Sequence, residues 1–474
     1  MILDREFVNV LILSWGFMFT FSAFLTTSNI QKTVLDSVSN EDPNFTGDGY
    51  ISLAIVYAVL SVCTFFAPSY AQEISPRLSI FTGSLCYAFF VATFLWPQTF
   101  LLYFASAIQG LGSSLMWVGH GRYITENSNS ETIARNSGIF WAIYQLSLVI
   151  GNLSVYCLFN TKTYDKQTRR LMFIILTVLA IIGTLILATL RKPHTRTLRE
   201  ICEKNLKEKN ETIRIKRQTL IVAWERMRRF LCLIATRQMI MLIVIFMYSG
   251  LVLAFYSGVY TASFGFTVKM GELRKKYASL VGICLGIGEV TAGIICGPLA
   301  STIKIRSRWL ILVIGSIVHA FSYVTIFLNL PNTSPFTDTE DIGFISPSMS
   351  LAMIGAVGLG FGDAFLNTQI IALLGTIYVN DTEFVFSMYL FFQSVAVTLS
   401  FFYSNYFGLY LHLGILIVMG ILGTIAFVLV DLKHNTDNSK HTNNINNNNN
   451  NNVLPVNHEN ITAENPVELE SAKR

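Results

Sequence analysis

Two carboxylates stand inside long apolar stretches and are the residues in this sequence best placed to do chemistry. Asp363 lies in GLGFGDAFLNTQ (358–369), and Glu289 lies in an earlier glycine-rich stretch. A charged side chain inside a bilayer is costly, and such residues usually mark sites for ions or protons. Gly360 and Asn367 are three and four residues from Asp363, so a helix would place all three on one face. The pattern makes Asp363, Glu289 and Asn367 candidates for a substrate or proton-coupling site.

The two acids allow two interpretations, because no Lys or Arg stands well inside any apolar stretch. Without a nearby cation, a buried carboxyl group is either protonated or faces water in a central cavity. Either state suits a transporter in which the carboxyl group gains and loses a proton as access to the site changes. In the second interpretation, each acid is protonated and hydrogen-bonds between helices, which fixes their packing. His319 is the only histidine in the middle of an apolar stretch and is a candidate hydrogen-bond partner.

Glycines surround Glu289 at helical spacing. Gly282, Gly286, Glu289, Gly293 and Gly297 follow in steps of four, three, four and four residues, which places them on one helix face. Small residues at such spacing let helix backbones approach closely. The pattern predicts a close helix contact, with Glu289 buried against another helix or opening onto a cavity.

Five further polar residues are candidates for roles in a central cleft. Gln145 and Gln393 are amides inside apolar stretches, where they can contact a solute or bond across helices. His120 and Arg122 end one stretch, and Arg135 opens the next. These three residues form either an inner gate of polar contacts or ordinary charges flanking the membrane.

Composition indicates a polytopic membrane protein. The chain has 474 residues, of which 52% are hydrophobic and 13% are charged, whereas soluble domains usually carry about 25% charged residues. A membrane helix needs about 20 consecutive apolar residues. Twelve stretches are candidates: 7–27, 50–70, 78–96, 100–119, 138–159, 171–190, 239–265, 279–303, 309–330, 349–377, 384–407 and 411–431.

No motif indicates an enzyme or a bound cofactor. The sequence has no P-loop, HExxH or GxSxG segment on a soluble domain, and its GxG patterns fall inside apolar stretches. The seven cysteines include no CxxC pair, so neither a disulfide framework nor a metal site is expected. The expected partners are the lipid bilayer and a small solute or ion.

The chain divides into two halves around a basic connector. Residues 110–112 (GLG) in the fourth stretch match residues 358–360 (GLG) in the tenth. Repeats of this kind predict duplicated bundles related by an axis along the membrane normal. The predicted fold is an all-α polytopic membrane protein with twelve transmembrane helices in two pseudo-repeated six-helix bundles. Its expected segments are two six-helix bundles at 1–190 and 239–432, a basic cytosolic connector at 191–238, and a disordered Asn-rich cytosolic tail at 433–474.

Charge places the connector and both termini in the cytosol. Residues 191–237 hold fourteen Lys or Arg against five Glu. Basic clusters also occur in nucleic-acid-binding proteins, but a basic loop between membrane spans follows the positive-inside rule, so no nucleic-acid partner is expected. The sequons at Asn44 and Asn332 fall in odd-numbered loops, outside in this orientation, and are candidate glycosylation sites. The choice between plasma membrane and endomembrane stays open.

An amphipathic pattern lies within the connector. Leu220, Trp224, Met227 and Leu231 recur at helical spacing, and arginines flank them. The pattern predicts either a helix lying on the inner membrane surface, near anionic headgroups, or an extension of the seventh span.

Several stretches resemble the Unc-ninety-three-like family, a branch of the major facilitator superfamily. They are GYISLAIVY (49–57), RNSGIFWA (135–142), FYSGVY (255–260), GLGFGDAFLNTQ (358–369) and FYSNY (402–406). The resemblance runs from the first apolar stretch to the last. It leaves out the Asn-rich tail, and the connector matches poorly.

The resemblance implies a major facilitator fold, in which two six-helix bundles surround a central cleft, but it implies no substrate. Some members are associated with regulating potassium channels or receptor trafficking rather than with moving solutes. The loop PSYAQEISPR (68–77) departs from the superfamily, because it keeps Arg77 and Glu73 but lacks the usual Asp and following glycine. The leading expectation is a small-solute transporter, proton-coupled through the intramembrane acids. The alternative is a non-transporting adaptor that regulates an ion channel or receptor trafficking.

Overall fold

Helices make up the fold. The computed structural model describes residues 5–70, 74–128, 132–158, 165–192, 215–295, 307–378 and 382–451. Within these ranges the chain is helical and forms no β-strand, only one isolated bridge between Thr267 and Thr339. The predicted class, an all-α polytopic membrane protein, is confirmed.

The helices are labelled in chain order. They are α1 (Arg5–Glu41), α2 (Gly49–Tyr70), α3 (Pro76–Thr93), α4 (Thr99–Glu126), α5 (Ile133–Leu158), α6 (Lys166–Ala188), α7 (Ile215–Ile234), α8 (Arg237–Phe266), α9 (Arg274–Ile294), α10 (Arg308–Asn329), α11 (Met349–Ile377), α12 (Thr382–Tyr403) and α13 (Leu409–Asn451). In the described chain, eleven of these are long and apolar enough to cross a membrane, namely all except α3 and α7.

The third predicted span, 78–96, is helical but is not among these eleven. It corresponds to α3, which has 18 residues and begins with Pro76 and Arg77. Ser75 caps this helix by accepting the Leu78 N–H, and Pro76 occupies the first turn, where its missing N–H is not needed. The number of twelve spans therefore stays a prediction.

The first helix is longer than its predicted span. The sequence pattern predicts a span at 7–27, whereas α1 has 37 residues and ends at Glu41. At 1.5 Å per residue α1 is about 55 Å long, well beyond the roughly 30 Å thickness of a hydrocarbon core. Its last turns therefore extend to the end of the molecule at which α1 connects to α2, the α1–α2 end.

Packing follows the two halves of the sequence and joins them along two seams. In the first half, α1 packs on α5 and α6, and α3 packs on α4. In the second half, α11 packs on α9 and α10, and α8 packs on α12. The seams between the halves are α2 against α12 and α5 against α9. Residues 1–431 form one compact unit, and residues 432–474 are a second unit.

The eighth helix contains a π-helical turn at Phe255–Val259. Such turns are rare and frequently lie at functional sites. The same helix begins after Thr236, whose hydroxyl accepts the Met239 N–H at 3.4 Å. Because α7 ends at Ile234 and Thr236 has extended backbone, α7 is a separate helix rather than an extension of the seventh span.

Parts of the predicted connector and tail lie outside the described residues. These parts are 193–214 and 452–474. The last helix continues past the predicted tail boundary at 433 and ends at Asn451. The segment boundaries proposed from sequence stay predictions.

Candidate functional site

Asp363 lies in the middle of α11 and is only 5% exposed. Its Oδ2 accepts a hydrogen bond from the Asn367 amide, one turn further along, at 2.9 Å. The Tyr256 hydroxyl, on the π-helical turn of α8, donates to the same oxygen at 3.5 Å. The other oxygen, Oδ1, has no hydrogen-bond partner within the described residues. Only one of the two carboxyl oxygens therefore has hydrogen-bond partners, and burying a polar atom without one is costly.

Hydrogen bonds continue from Asp363 to two further helices. The Tyr389 hydroxyl on α12 donates to Oδ1 of Asn367 at 2.5 Å, and the Gln393 amide donates to the Tyr389 oxygen at 2.9 Å. The same amide lies 3.2 Å from the hydroxyl oxygen of Ser249 on α8. Three predicted residues, Asp363, Asn367 and Gln393, thus belong to one hydrogen-bonded chain. Tyr389 and Ser249 complete it and could have been found only from the three-dimensional packing.

Glu289 lies on α9, directly against α11. It is 3% exposed, and its Oε2 has no hydrogen-bond partner within the described chain. The two helix backbones touch, because a Cβ atom on Gly360 would clash with the carbonyl oxygen of Leu285 and stand 3.1 Å from the nitrogen of Glu289. The helices that carry the two acids are therefore in backbone contact one turn before Asp363.

One phenol from each half of the protein lies near the two acids. Tyr144 on α5 and Tyr256 on α8 lie near enough to interact electrostatically with both carboxyl groups. The carboxyl groups thus lie where the first half meets the second. Such a pair can hold protons or a cationic group. Within the described residues, no set of three or more His, Cys, Asp or Glu side chains is arranged to hold a metal ion.

His319 is fully buried on α10, and its hydrogen bonds go to residues other than Asp363 and Glu289. Its Nε2 lies 3.1 Å from the carbonyl oxygen of Leu359, and its Nδ1 lies 2.9 Å from the Tyr248 hydroxyl. Because a carbonyl oxygen can only accept, Nε2 carries a proton, and in the neutral ring Nδ1 then accepts from Tyr248. The Tyr323 hydroxyl extends this cluster at 3.1 Å. The ring is fully bonded as a neutral imidazole.

The remaining predicted cleft residues do not converge. Gln145 is partly buried on α5 and makes no side-chain hydrogen bond within the described residues. The His120 ring packs 4.0 Å from the Phe140 ring, measured between centroids. Arg122 donates to a carbonyl in the α2–α3 connection at 2.8 Å, and Arg135 lies over the Phe7 ring at 4.9 Å. The inner gate stays a prediction.

A buried lysine that sequence reasoning missed lies near the end of α1. Lys32 is 8% exposed, and its ammonium group lies 3.0 Å from Asp36 and 2.8 Å from Asp48. The Asn405 amide, just after α12, donates to the other oxygen of Asp48 at 3.0 Å. This Lys32 cluster (Lys32, Asp36, Asp48 and Asn405) joins the two halves at the α1–α2 end.

In the Lys32 cluster one ammonium group faces two carboxyl groups. Burial opposes ionisation of Asp48, but the ammonium of Lys32 and the amide of Asn405 outweigh it and hold the pKa of Asp48 below its ordinary value. The signal in the sequence was a lysine only five residues beyond the predicted end of the first span, at residue 27. A hydropathy profile assigns such a position to a loop, whereas in the structure the neighbouring parts of the protein bury the Lys32 side chain.

Replacing Lys32 by Met is expected to destabilise the protein strongly. The change leaves the half-buried Asp36 and Asp48 without their cation, and the cost of removing one partner of a fully buried pair, about 3–5 kcal/mol, is the upper bound here. Thermal unfolding of the purified protein should show a clear drop in midpoint. Adding Asp48→Asn should recover part of it, because less unpaired charge remains. Lys166→Met, at an exposed position at the same end, is the control. An unchanged midpoint for Lys32→Met would contradict this account.

The predicted glycine face of α9 packs tightly over part of its length. A Cβ on Gly282 would stand 2.5 Å from the Asn152 side chain, and one on Gly286 would stand 2.8 Å from Val149, both on α5. Among the described residues, no atom outside its own helix backbone lies within 4 Å of a Cβ on Gly293, and Gly297 lies outside the described residues. The close contact is therefore with the other half of the protein and ends before Gly293.

The two candidate glycosylation sites differ in their surroundings. Asn44 is exposed, and its side chain makes no hydrogen bond within the described residues. Asn332 is exposed too, but its Oδ1 accepts the Tyr410 N–H at 2.9 Å and its amide packs against Gly408. The side chain of Asn332 thus helps to hold the start of α13.

We expect a glycan at Asn44 and none at Asn332, because a sugar on Asn332 would break the contact that holds α13. Glycosidase treatment of protein from eukaryotic cells should shift its electrophoretic mobility. Asn44→Gln should abolish that shift, and Asn332→Gln should leave it unchanged. A shift that depends on Asn332, or no shift in the wild-type protein, would contradict the prediction.

Two surface pockets in the described part of the chain lie away from the carboxyl groups. One of about 680 Å³ opens at the α1–α2 end, lined by Lys269, Pro331, Asn332, Thr333, Glu340, Asp341, Ile342 and Tyr410. A smaller space lies between the end of α1 and the α3–α4 connection. Neither adjoins Asp363.

Comparisons with known proteins cover the helical region. The family model described as "Ion channel regulatory protein UNC-93" matches residues 44–428. UNC93-like protein MFSD11 of Xenopus laevis is 35% identical over 432 residues, which cover 90% of this chain and 96% of that protein. UNC93-like protein 3 of Arabidopsis thaliana is 26% identical over 427 residues, covering 87% of this chain and 83% of that protein.

A more distant relative extends the same likeness. Protein unc-93 homolog A of Homo sapiens is 24% identical over 469 residues, covering 90% of this chain and 94% of that protein. The resemblance to the Unc-ninety-three-like family is confirmed, and within that family the chain is similar to UNC93-like protein MFSD11. The matched residues include Asp363, Glu289 and the hydrogen-bonded chain around them. The chain belongs to the UNC-93 family and is a multi-pass integral membrane protein.

Proposed function

We propose that this protein is a proton-coupled transporter of a small solute, with Asp363 and Glu289 as its proton-binding residues. One observation carries the proposal. Both acids are buried where the halves meet, and each has a carboxyl oxygen without a hydrogen-bond partner in the described chain. Unsatisfied carboxyl oxygens are costly in a bilayer and are usually retained for function.

The surroundings of Asp363 favour a change of protonation. Burial favours the neutral acid, whereas the donors from Asn367 and Tyr256 favour the carboxylate. Opposed influences of this kind let a carboxyl group take up or release a proton when its access to water changes. The hydrogen bonds through Tyr389 and Gln393 would transmit the change in protonation of Asp363 to α8 and α12.

Contacts at both ends of the seams support alternating access. At the α1–α2 end, Asn405 bonds to Asp48, and the Thr261 hydroxyl donates to the Asn29 carbonyl at 2.8 Å. Towards the opposite end, the rings of Phe65 on α2 and Phe391 on α12 lie 5.3 Å apart. Under the proposal, the contacts at one end open while those at the other end stay closed. The two acids are then accessible from only one side of the membrane at a time.

Proton flux tests the proposal. The full chain would be placed in proteoliposomes with a trapped pH-sensitive dye and given an inward proton gradient. A panel of small organic cations, amino acids and sugars would then be added in turn. We expect at least one solute to accelerate proton movement. No acceleration by any member of the panel, from folded protein, would count against transport.

Channel regulation is the second candidate function. The matching family model is described as an ion channel regulatory protein, and relatives carry the unc-93 name. The segment 68–77 also departs from the superfamily signature, and its last residue, Arg77 in the first turn of α3, donates to the Leu190 carbonyl at 3.4 Å. In this role the chain would bind a channel or receptor in the membrane. A potassium current that changes on co-expression, equally with wild type and with Asp363→Asn, would favour it.

A further inference from the structure

One face of α7 packs on the seam between the two halves. Phe230 is fully buried, and its ring lies 5.4 Å from that of Phe65, towards the end of α2. The Arg229 guanidinium lies 5.8 Å from the ring centre of Phe384, near the start of α12. This face holds α7 at the end of the seam away from the α1–α2 connection.

The opposite face of α7 is exposed and combines apolar bulk with positive charge. Trp224 is 68% exposed and Leu231 is 47% exposed. Arg228, also exposed, lies between them at helical spacing, so all three share a face. Residues 224–234 contain three Arg against one Glu. An exposed tryptophan and leucine beside arginine are typical of helices at the boundary between headgroups and acyl chains.

The connection to α8 fixes α7 at the membrane surface. The helix ends at Ile234, and α8, which is long and apolar enough to cross the membrane, begins at Arg237. Three residues span at most about 10 Å. The end of α7 must therefore lie within about that distance of the point where α8 enters the bilayer.

We propose that the exposed face of α7 binds anionic phospholipid. Trp224 and Leu231 lie at the apolar boundary, and Arg228 meets the negative headgroups. The bilayer surface is the occupant because α7 is tied to α8, and the excess of arginine selects lipids of negative charge. Since α7 contacts both α2 and α12, bound lipid stabilises the seam. This inference is independent of the proposed transport function.

Lipid titration tests the charge selectivity. The full chain in a neutral detergent is titrated with dioctanoyl phosphatidylserine, or with dioctanoyl phosphatidylcholine as the neutral control, while its thermal midpoint is followed. We expect stabilisation by the serine lipid at lower concentration. Arg228→Gln should weaken that response about five-fold, since one basic residue near an anionic surface contributes on the order of 1 kcal/mol. The control Arg170→Gln, exposed on α6 towards the α1–α2 end, should leave it unchanged.

Depth measurement tests the placement of the helix. In nanodiscs whose lipids carry bromine on the upper acyl chain, tryptophan fluorescence should be quenched, and part of that quenching should disappear in Trp224→Phe. The proposal is overturned by equal stabilisation from both lipids, by an unchanged response in Arg228→Gln, or by identical quenching in the wild-type and Trp224→Phe proteins. The loss of a surface tryptophan leaves the packed face intact, so the variant is expected to fold.

Discussion

Gly288→Ala should destabilise the protein strongly, although it adds a single methyl group. A Cβ at this position would clash with the carbonyl oxygen of Val357 and stand 2.8 Å from the nitrogen of Phe361, both backbone atoms of α11. Backbone atoms cannot swing aside as a side-chain end does, so the two helices must move apart. Overpacking of this kind costs about 1–3 kcal/mol and occasionally more. Because α9 and α11 carry the two acids, their spacing is disturbed as well.

The same helix provides a matched control in Gly293→Ala. In the described part of the chain, no atom outside its own helix backbone lies within 4 Å of a Cβ at that position, and alanine within a helix is favoured over glycine by up to roughly 0.5–1 kcal/mol. The thermal midpoint and yield in detergent should therefore fall for Gly288→Ala and stay level or rise for Gly293→Ala. A second pair on α11, Gly360→Ala against Gly375→Ala, should repeat the contrast. Equal midpoints for both members of a pair would show that the helices are not in backbone contact.

Much of the helical plan follows from hydropathy because the bilayer imposes it. The stretch predicted at 349–377 corresponds to the observed Met349–Ile377. In a bilayer, the backbone N–H and C=O groups of an apolar run of this length must hydrogen-bond within the protein. A helix is the simplest structure in which they do so. The method fails where a helix leaves the apolar layer but remains packed, as α1 does between residues 28 and 41.

The candidate site was predictable only in part. The acids were visible because a charge in an apolar run is conspicuous, and Asn367 because it shares a helix face with Asp363. The partners Tyr389 and Asn405 were not visible, since each depends on contacts between helices. Asn405 bonds to Asp48 across 357 residues of sequence. No local pattern records such a separation.

The glycine pattern shows the same limit. Spacing on α9 indicated correctly that Gly282 and Gly286 approach a neighbour closely, but not that the neighbour is α5. The spacing also included Gly293, where a Cβ would meet no described neighbour. It did not include Gly288, where a Cβ would lie closer to a neighbouring helix than at Gly282 or Gly286. One-dimensional spacing defines a face of a helix, whereas the partner of that face depends on the fold.

Asp363→Asn should leave the fold intact and remove part of the protein's proton binding. An amide oxygen at this position can still accept from Asn367 and Tyr256, so the hydrogen bonds that the wild-type Oδ2 makes are preserved. The amide cannot titrate. If Asp363 and Glu289 are the two titrating groups of the site, the variant should take up about half as many protons as the wild-type site on acidification.

Infrared difference spectra of the protein in nanodiscs, recorded on acidification, measure this directly, because a protonated carboxyl group has its own carbonyl band. Asp363→Asn and Glu289→Gln should each lose about half of the part of the band that arises from these two acids, and the double variant should lose that part entirely, while other buried acids such as Asp431 keep their own contribution. Glu340→Gln, at an exposed position in the α10–α11 connection, should not change that band. In proteoliposomes, solute-dependent proton movement should disappear with Asp363→Asn. A full band and unchanged proton movement, at normal abundance, would instead assign Asp363 to helix packing, since an amide then serves as well as a permanently protonated acid.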